Sequence, residues 1–71
     1  MKLEYFAETD TLYIDINDSP SVESKEISKG IVLDFDESGQ LTGIEIDNAM
    51  KVVNFSKLET KSLPLKDLVF S

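Results

Sequence analysis

Residues 30–46 read GIVLDFDESGQLTGIEI and contain two short runs in which apolar and polar side chains alternate. Alternation with a period of two is typical of a strand that buries one face. Between the runs, residues 36–39 (Asp-Glu-Ser-Gly) have the composition of a tight turn, because Asp and Ser bond nearby backbone and Gly accepts a positive φ. This stretch therefore predicts an antiparallel hairpin whose loop ends at Gly39 in the left-handed conformation.

The register of this hairpin follows from keeping its apolar side chains on one face. A four-residue loop would pair Phe35 with Gln40, and Ile31 with Ile44. A three-residue loop would instead place Glu45 opposite Ile31, which buries a carboxylate without a partner. The four-residue loop is therefore predicted, with Glu45 on the outer face. The residues predicted to share that face are Val32, Asp34 and Gly43.

A first hairpin is predicted near the N-terminus, where segments 2–6 and 11–17 alternate on either side of the polar turn 7–10. Pairing these segments so that their apolar residues coincide gives one apolar face and one mixed face. The predicted opposite pairs are Phe6 with Thr11, Tyr5 with Leu12, and Leu3 with Ile14.

The other segments have weaker patterns. Residues 17–25 lack an apolar period and are rich in Ser, Asp and Pro, which predicts a long exposed loop. Helical spacing after Asp47 predicts a short helix at about 48–54, capped by Asp47 or Asn48. Residues 56–71 fit either a helical turn or an added strand. Their apolar side chains predict packing on the sheet or on a second subunit.

Together these segments predict one domain over residues 1–71, of the α+β class and mainly β. Its core is a meander of two antiparallel hairpins, followed by the short helix and a packed C-terminal segment. The predicted strands are 2–6, 11–17, 30–36 and 40–46.

Composition restricts the possible functions. The chain has 14 acidic residues, seven lysines and a net charge of −7, which argues against a nucleic-acid partner. No stretch approaches the ~18 apolar residues of a membrane span, and with no cysteine we expect a cytoplasmic protein. The absence of His, Cys and Arg, and of any Gly-rich phosphate loop, predicts a protein that is not an enzyme and needs no cofactor.

Residues 34–45 match the twelve-residue EF-hand calcium loop at its key positions. Asp34, Asp36 and Ser38 would supply oxygens, Gly39 the bend and Glu45 the bidentate ligand. An EF-hand needs flanking helices, however, and the flanks here alternate like strands. We therefore predict no metal, and keep a divalent-cation site at those four oxygen-bearing residues as an alternative. A small enzyme using the paired carboxylates of Asp34 and Glu45 is a more remote alternative.

Charge is concentrated in the predicted sheet, because residues 1–48 have a net charge of −9 and residues 49–71 a net charge of +2. The leading hypothesis is a non-enzymatic protein-protein interaction module, with a protein partner or a second copy in a homodimer. The candidate interaction surface consists of Asp15, Asp18, Asp34, Asp36, Glu37 and Glu45.

Several motifs together resemble a known family. They are the aromatic opening strand, DTLYI at 10–14, GIVLD at 30–34 leading to Gly39, and GIEI at 43–46. Over roughly residues 3–50 the chain resembles the small bacterial family catalogued as domain of unknown function 2283. The resemblance implies a prokaryotic or phage source and no assigned activity or site residues. Members are often encoded beside small toxin-like genes, which implies an antitoxin or inhibitor role towards a basic partner.

Overall fold

The computed structural model describes all 71 residues, and five antiparallel strands form one sheet in the order β1-β2-β5-β4-β3. One short helix follows the last strand, and residues 54–71 form neither helix nor strand. The predicted α+β, mainly β class is therefore confirmed. The elements are β1 (Lys2–Phe6), β2 (Thr11–Asp15), β3 (Glu23–Ser28), β4 (Ile31–Phe35), β5 (Leu41–Asp47) and α1 (Ala49–Val52).

The sheet differs from the predicted four-strand meander in two ways. First, part of the predicted loop 17–25 belongs to β3, which pairs with β4 at the edge of the sheet. All of its residues are exposed, so this edge strand shows no apolar period that could reveal it. Second, β5 lies between β2 and β4, so the β1–β2 hairpin joins the β3–β4–β5 meander along a single β2–β5 seam.

The predicted register of the first hairpin is confirmed. Leu3 lies opposite Ile14, and the neighbouring pairs follow the same register to the turn. With the four-residue connection 7–10, this register places Leu3, Tyr5, Leu12 and Ile14 on one face, while Phe6 and Tyr13 lie on the other.

The second hairpin differs from its predicted register. The Asp36 N–H donates to the carbonyl oxygen of Gln40 at 2.9 Å, which leaves a loop of three residues, 37–39. A β-bulge then follows at Thr42, which has no opposite partner on β4. Phe35 lies opposite Leu41 rather than Gln40, and the predicted pairing of Ile31 with Ile44 is also wrong, since Ile31 lies opposite Ile46.

The shorter loop and the bulge compensate for each other. Each moves the side chains of β5 to the opposite face, so the two together restore the alternation. Glu45 consequently lies opposite Val32, on the face predicted for it. Gly39 has φ 81°, which confirms the left-handed conformation predicted at the end of the loop.

The two faces of the sheet differ in chemistry. On one, which we call the apolar face, only Leu12 is buried. The apolar face consists of Leu3, Tyr5, Leu12, Ile14, Ile31, Leu33, Phe35, Leu41, Ile44 and Ile46. The opposite side, the polar face, has three rows of cross-strand partners. They are Lys2-Asp15-Gly43-Asp34-Ser24, Glu4-Tyr13-Glu45-Val32-Glu26 and the shorter row Phe6-Thr11-Asp47.

Helix α1 has four residues, fewer than the predicted 48–54, and its cap differs from the prediction. Asn48 has φ 53° and its side chain makes no capping hydrogen bond. Instead the Asp10 carbonyl oxygen accepts from the Ala49 N–H at 2.9 Å, and Asp10 Oδ1 accepts from the Met50 N–H at 3.0 Å. A residue of the first hairpin therefore supplies the cap through a long-range contact.

Residues 54–71 are exposed throughout, so the packed C-terminal segment predicted from their apolar side chains is not seen within the chain. One aromatic contact links this region to the sheet, between Phe55 and Tyr5 with ring centroids 5.4 Å apart. Packing of the segment on a second subunit stays a prediction. None of the helices in the structure is both long and apolar enough to cross a membrane.

Candidate interaction surface on the polar face

Tyr13 lies at the centre of the polar face because β2 presents it beside a glycine on the neighbouring strand. A Cβ atom at Gly43 would lie 2.6 Å from Cζ of Tyr13 and closer still to its hydroxyl. The missing side chain thus makes room for the ring to lie across β5. The Tyr13 hydroxyl reaches β4 and donates to Asp34 Oδ2 at 2.8 Å.

Asp34 receives a second hydrogen bond from the edge of the sheet. The Ser24 hydroxyl on β3 donates to Asp34 Oδ1 at 2.6 Å, so both carboxylate oxygens have a donor. Charge-assisted hydrogen bonds of this kind are stronger than neutral ones and fix the orientation of the carboxylate. Side chains from three strands therefore hold one negative charge in a defined position.

The electrostatics of the polar face are repulsive. The hydrogen bond to Asp34, together with burial and the charges of Asp34, Asp15 and Glu45, raises the pKa of Tyr13 to about 12. Burial, reinforced by the charges of Asp47 and Asp34, raises the pKa of Glu45 above its ordinary value of 4.5. The hydrogen bond stabilises the neutral form of Tyr13, and burial with nearby negative charge disfavours the ionised forms of both Tyr13 and Glu45.

No lysine neutralises these carboxylates. The two ion pairs of the chain, Lys2–Glu4 at 3.6 Å and Lys57–Glu59 at 3.8 Å, are both largely exposed. The three central carboxylates of the polar face have no lysine nitrogen within 4 Å; they are Asp15, Asp34 and Glu45.

The structure separates the six predicted surface residues into two groups. Asp15 and Asp34 flank Gly43 on one row, about 10 Å apart at ~4.8 Å per strand, and Glu45 occupies the next row. The other three lie in the connections at one end of the sheet. They are Asp18 in the loop 16–22, and Asp36 and Glu37 in the β4–β5 turn. The last two line a shallow depression with Ser19, Pro20, Val22 and Ser38.

The residues of the alternative cation site have other roles. Asp36 Oδ1 accepts from the backbone N–H groups of Ser38 and Gln40, each at 2.9 Å, and so stabilises the turn. Asp34 is held by Tyr13, and Glu45 lies on β5 opposite Val32. No group of three or more His, Cys, Asp or Glu side chains in the chain is arranged to hold a metal ion.

The sequence of the chain matches a known protein family. The sequence profile of a family described as protein of unknown function (DUF2283) matches residues 2–49. The chain belongs to that family. The DUF2283 match spans all five strands and therefore includes every residue of the polar face. The predicted family is confirmed, whereas its bacterial source stays a prediction.

One curated relative is an uncharacterised protein of Methanocaldococcus jannaschii, 35% identical to this chain over 69 residues. The alignment covers 97% of this chain but 55% of the relative, so the chain spans about half the length of the protein it matches. No solved structure gives a significant match.

Sequence reasoning missed the residues that organise this surface, namely Tyr13 with Gly43, and Ser24. One signal was available, because an isolated glycine inside a strand often marks the close approach of another group. For Ser24 the sequence offers no such signal, since β3 itself lacks an apolar period.

Proposed function

We propose that this protein is a non-enzymatic interaction module that binds a basic protein through its polar face. The observation that carries this proposal is the group of three carboxylates around Tyr13, none of which has a lysine partner. Opposite charges across an interface steer encounter and disfavour wrong partners. Lysine or arginine side chains of a partner would supply the missing counter-charges.

Binding of a basic side chain would also relieve an unfavourable interaction within the free protein. Glu45 has a raised pKa because it is partly buried beside Asp47 and Asp34. A cation docked near Glu45 would favour the ionised carboxylate and lower this pKa. We therefore expect complex formation to release protons when it is measured near the raised pKa of Glu45.

Preorganisation favours binding at Asp34. Its two oxygens already accept from Tyr13 and Ser24, so little side-chain freedom remains to be lost when a partner arrives. The flat ring of Tyr13 adds apolar contact area with few rotatable bonds, as aromatic residues do at many interfaces.

The partner class that we propose is a small basic protein, with this chain acting as its antitoxin or inhibitor. The family resemblance supports this role through the toxin-like genes that often lie beside family members. The net charge of −7 supports it independently, because such a charge accelerates encounter with a cationic surface.

The test is co-purification and calorimetry with the basic product of an adjacent gene. We expect the double variant D15N/E45Q to bind at least about 10-fold more weakly than the unmodified chain. The matched control E8Q/D67N removes the same charge from exposed positions outside the polar face and should change affinity much less. Equal losses in the two variants, or no binding by the unmodified chain, would contradict the proposal.

A further inference from the structure

We infer that two copies of this chain pack through their apolar faces, forming a two-layer sandwich with both polar faces outside. The inference concerns the side of the sheet opposite the proposed binding surface and does not depend on that function. It rests on the exposed surface area, the charges and the edges of the sheet.

The isolated chain exposes more surface than a folded protein of its mass. Its accessible area is 6034 Å² for 8.0 kDa, whereas folded monomers of this mass expose about 4,450 Å². The excess of about 1,600 Å² per chain corresponds to about 3,200 Å² for two. This excess comes partly from the exposed segment 54–71 and partly from the apolar face. Interfaces of obligate homodimers bury about 2,000–5,000 Å² in total, so the excess of two chains leaves room for such an interface.

The apolar face of the sheet has no second layer of secondary structure packed on it. It extends across β1, β2, β5 and β4, yet Leu3 is 50% exposed and Tyr5 41% exposed. A sheet with one apolar face becomes stable by packing that face against a second layer. Helix α1 does not supply the layer, because it has four residues and only Ala49 is buried.

The C-terminal segment fits this role less well than a second sheet does. An irregular segment laid over apolar side chains would leave its own backbone N–H and C=O groups without partners. In a second copy of the sheet, the strands already satisfy those groups. The structure shows residues 54–71 exposed, with Phe55 touching Tyr5.

The distribution of charge favours a second copy of the same chain. On the apolar side of the sheet, strand β3 contributes Glu23 and Lys25, whose charges cancel. Two chains of net charge −7 can therefore approach through this side with little repulsion. The carboxylates of the two polar faces then lie on opposite sides of the assembly.

Edge pairing is a less suitable way for two copies to meet. The exposed edge strand β3 carries charged residues on both faces and a register shift between Glu26 and Ser28. The other edge, β1, carries the exposed Lys2–Glu4 ion pair. Charges and bulges on edge strands disfavour pairing with another chain.

The test is the mass of the full chain in solution, measured by sedimentation equilibrium over a range of concentrations. We expect twice the 8.0 kDa of the monomer. The variant L33K introduces a lysine into the apolar face and should raise the dimer dissociation constant by about 100-fold or more. The matched control V32K changes the adjacent residue on the opposite face and should remain dimeric.

Two results would overturn the inference. A monomeric unmodified chain would show that its own C-terminal segment or a different partner covers the face. Equal dissociation by L33K and V32K, with both variants folded by circular dichroism, would place the contact elsewhere. If L33K does not fold, L3K on the half-exposed strand β1 replaces it, with E4K as its control on the opposite face. Loss of basic-partner binding alone would leave the dimer mass unchanged, so the two proposals fail separately.

Discussion

The ring of Tyr13 occupies the space that a side chain at Gly43 would fill, so the two residues share one position on the polar face. This arrangement brings the Tyr13 hydroxyl across β5 to Asp34 on β4. The glycine at position 43 therefore allows the Tyr13 side chain on β2 to reach across β5 and bond Asp34 on β4.

Substitution of the glycine should break this arrangement. In G43A the new methyl group overlaps the Tyr13 ring, and we expect the free energy of unfolding to fall by about 1–3 kcal/mol. Chemical denaturation measures the loss. In a Y13A background the overlap is absent, so the same G43A substitution should cost much less. A similar cost in both backgrounds would show that the ring does not occupy the space.

The ionisation of Tyr13 should be shifted upwards. Its pKa of about 12, against an ordinary value of 10.0, means that the unfolded chain loses this proton first. The stabilising contribution of the neutral phenol is therefore complete below pH 10 and lost as the pH rises from about 10 to about 12. Tyrosinate absorbance in a Y5F background, where Tyr13 is the remaining tyrosine, should show a midpoint near 12.

The control for this titration is D34A in the same Y5F background. It removes both the hydrogen bond and the charge that contribute to the shift, so the midpoint should move towards 10.0. A midpoint near 10.0 before that substitution would mean that the phenol does not bind Asp34 in solution.

Glu45 should destabilise the fold when it is ionised. Because its pKa is raised in the folded state, the folded chain binds this proton more tightly, and stability falls as the pH rises through that pKa. We expect E45Q to be more stable than the unmodified chain at pH 7, by roughly a few tenths of a kcal/mol. The difference should disappear well below pH 4.5, where Glu45 is neutral in both states. The exposed residue Glu8 provides the control E8Q, and a larger gain in E8Q would contradict the explanation.

Asp10 should contribute more to stability than Asn48, although both have φ 53°. D10G removes the acceptor of the Met50 N–H and of the Tyr5 hydroxyl without imposing a Cβ on a left-handed backbone. We expect a loss of about 1–2 kcal/mol in thermal or chemical unfolding. N48G removes a side chain that makes no cap bond, and its effect should be near zero. A larger loss of stability in N48G than in D10G would instead support Asn48 as the helix cap, as predicted from the sequence.

Thr42 offers a site for stabilisation. Its side chain is 2% exposed, and its hydroxyl has no hydrogen-bond partner. Valine has nearly the same shape without the polar atom, so T42V should stabilise the fold by about 1 kcal/mol. At Thr11 the hydroxyl donates to Asp47 Oδ1 at 3.3 Å, so T11V should be destabilising instead. A loss of stability in T42V would indicate that an ordered water satisfies the hydroxyl.

The two hairpins show what could be predicted from sequence and what could not. In the first, the short connection 7–10 and the shared apolar face of Tyr5 and Leu12 favour one register, and the pairing of Leu3 with Ile14 was predicted correctly. In the second, a four-residue loop and a three-residue loop with a bulge both keep Glu45 off the apolar face. The residue types around Thr42 do not distinguish these two loop arrangements. The face on which Glu45 lies was therefore predicted correctly, whereas the cross-strand partners of β4 and β5 were not.

The candidate surface was predictable to a similar extent. Alternation placed Asp34 and Glu45 on one face, which the structure reproduces. The observed contact between Tyr13 and Asp34 spans β5, which lies between their strands, whereas the predicted meander placed segment 11–17 directly beside segment 30–36. Long-range strand order depends on packing that local patterns do not encode.

The seam between β2 and β5 also has a consequence for folding kinetics. The β1–β2 hairpin and the β3–β4–β5 meander each form from neighbouring segments, whereas Ile14 and Ile44 must meet across 29 intervening residues. Closing such a loop carries an entropic cost before the contacts it permits can form. We expect the seam to be the slow step, with substitutions along it altering the folding rate and those at the outer strands mainly altering unfolding.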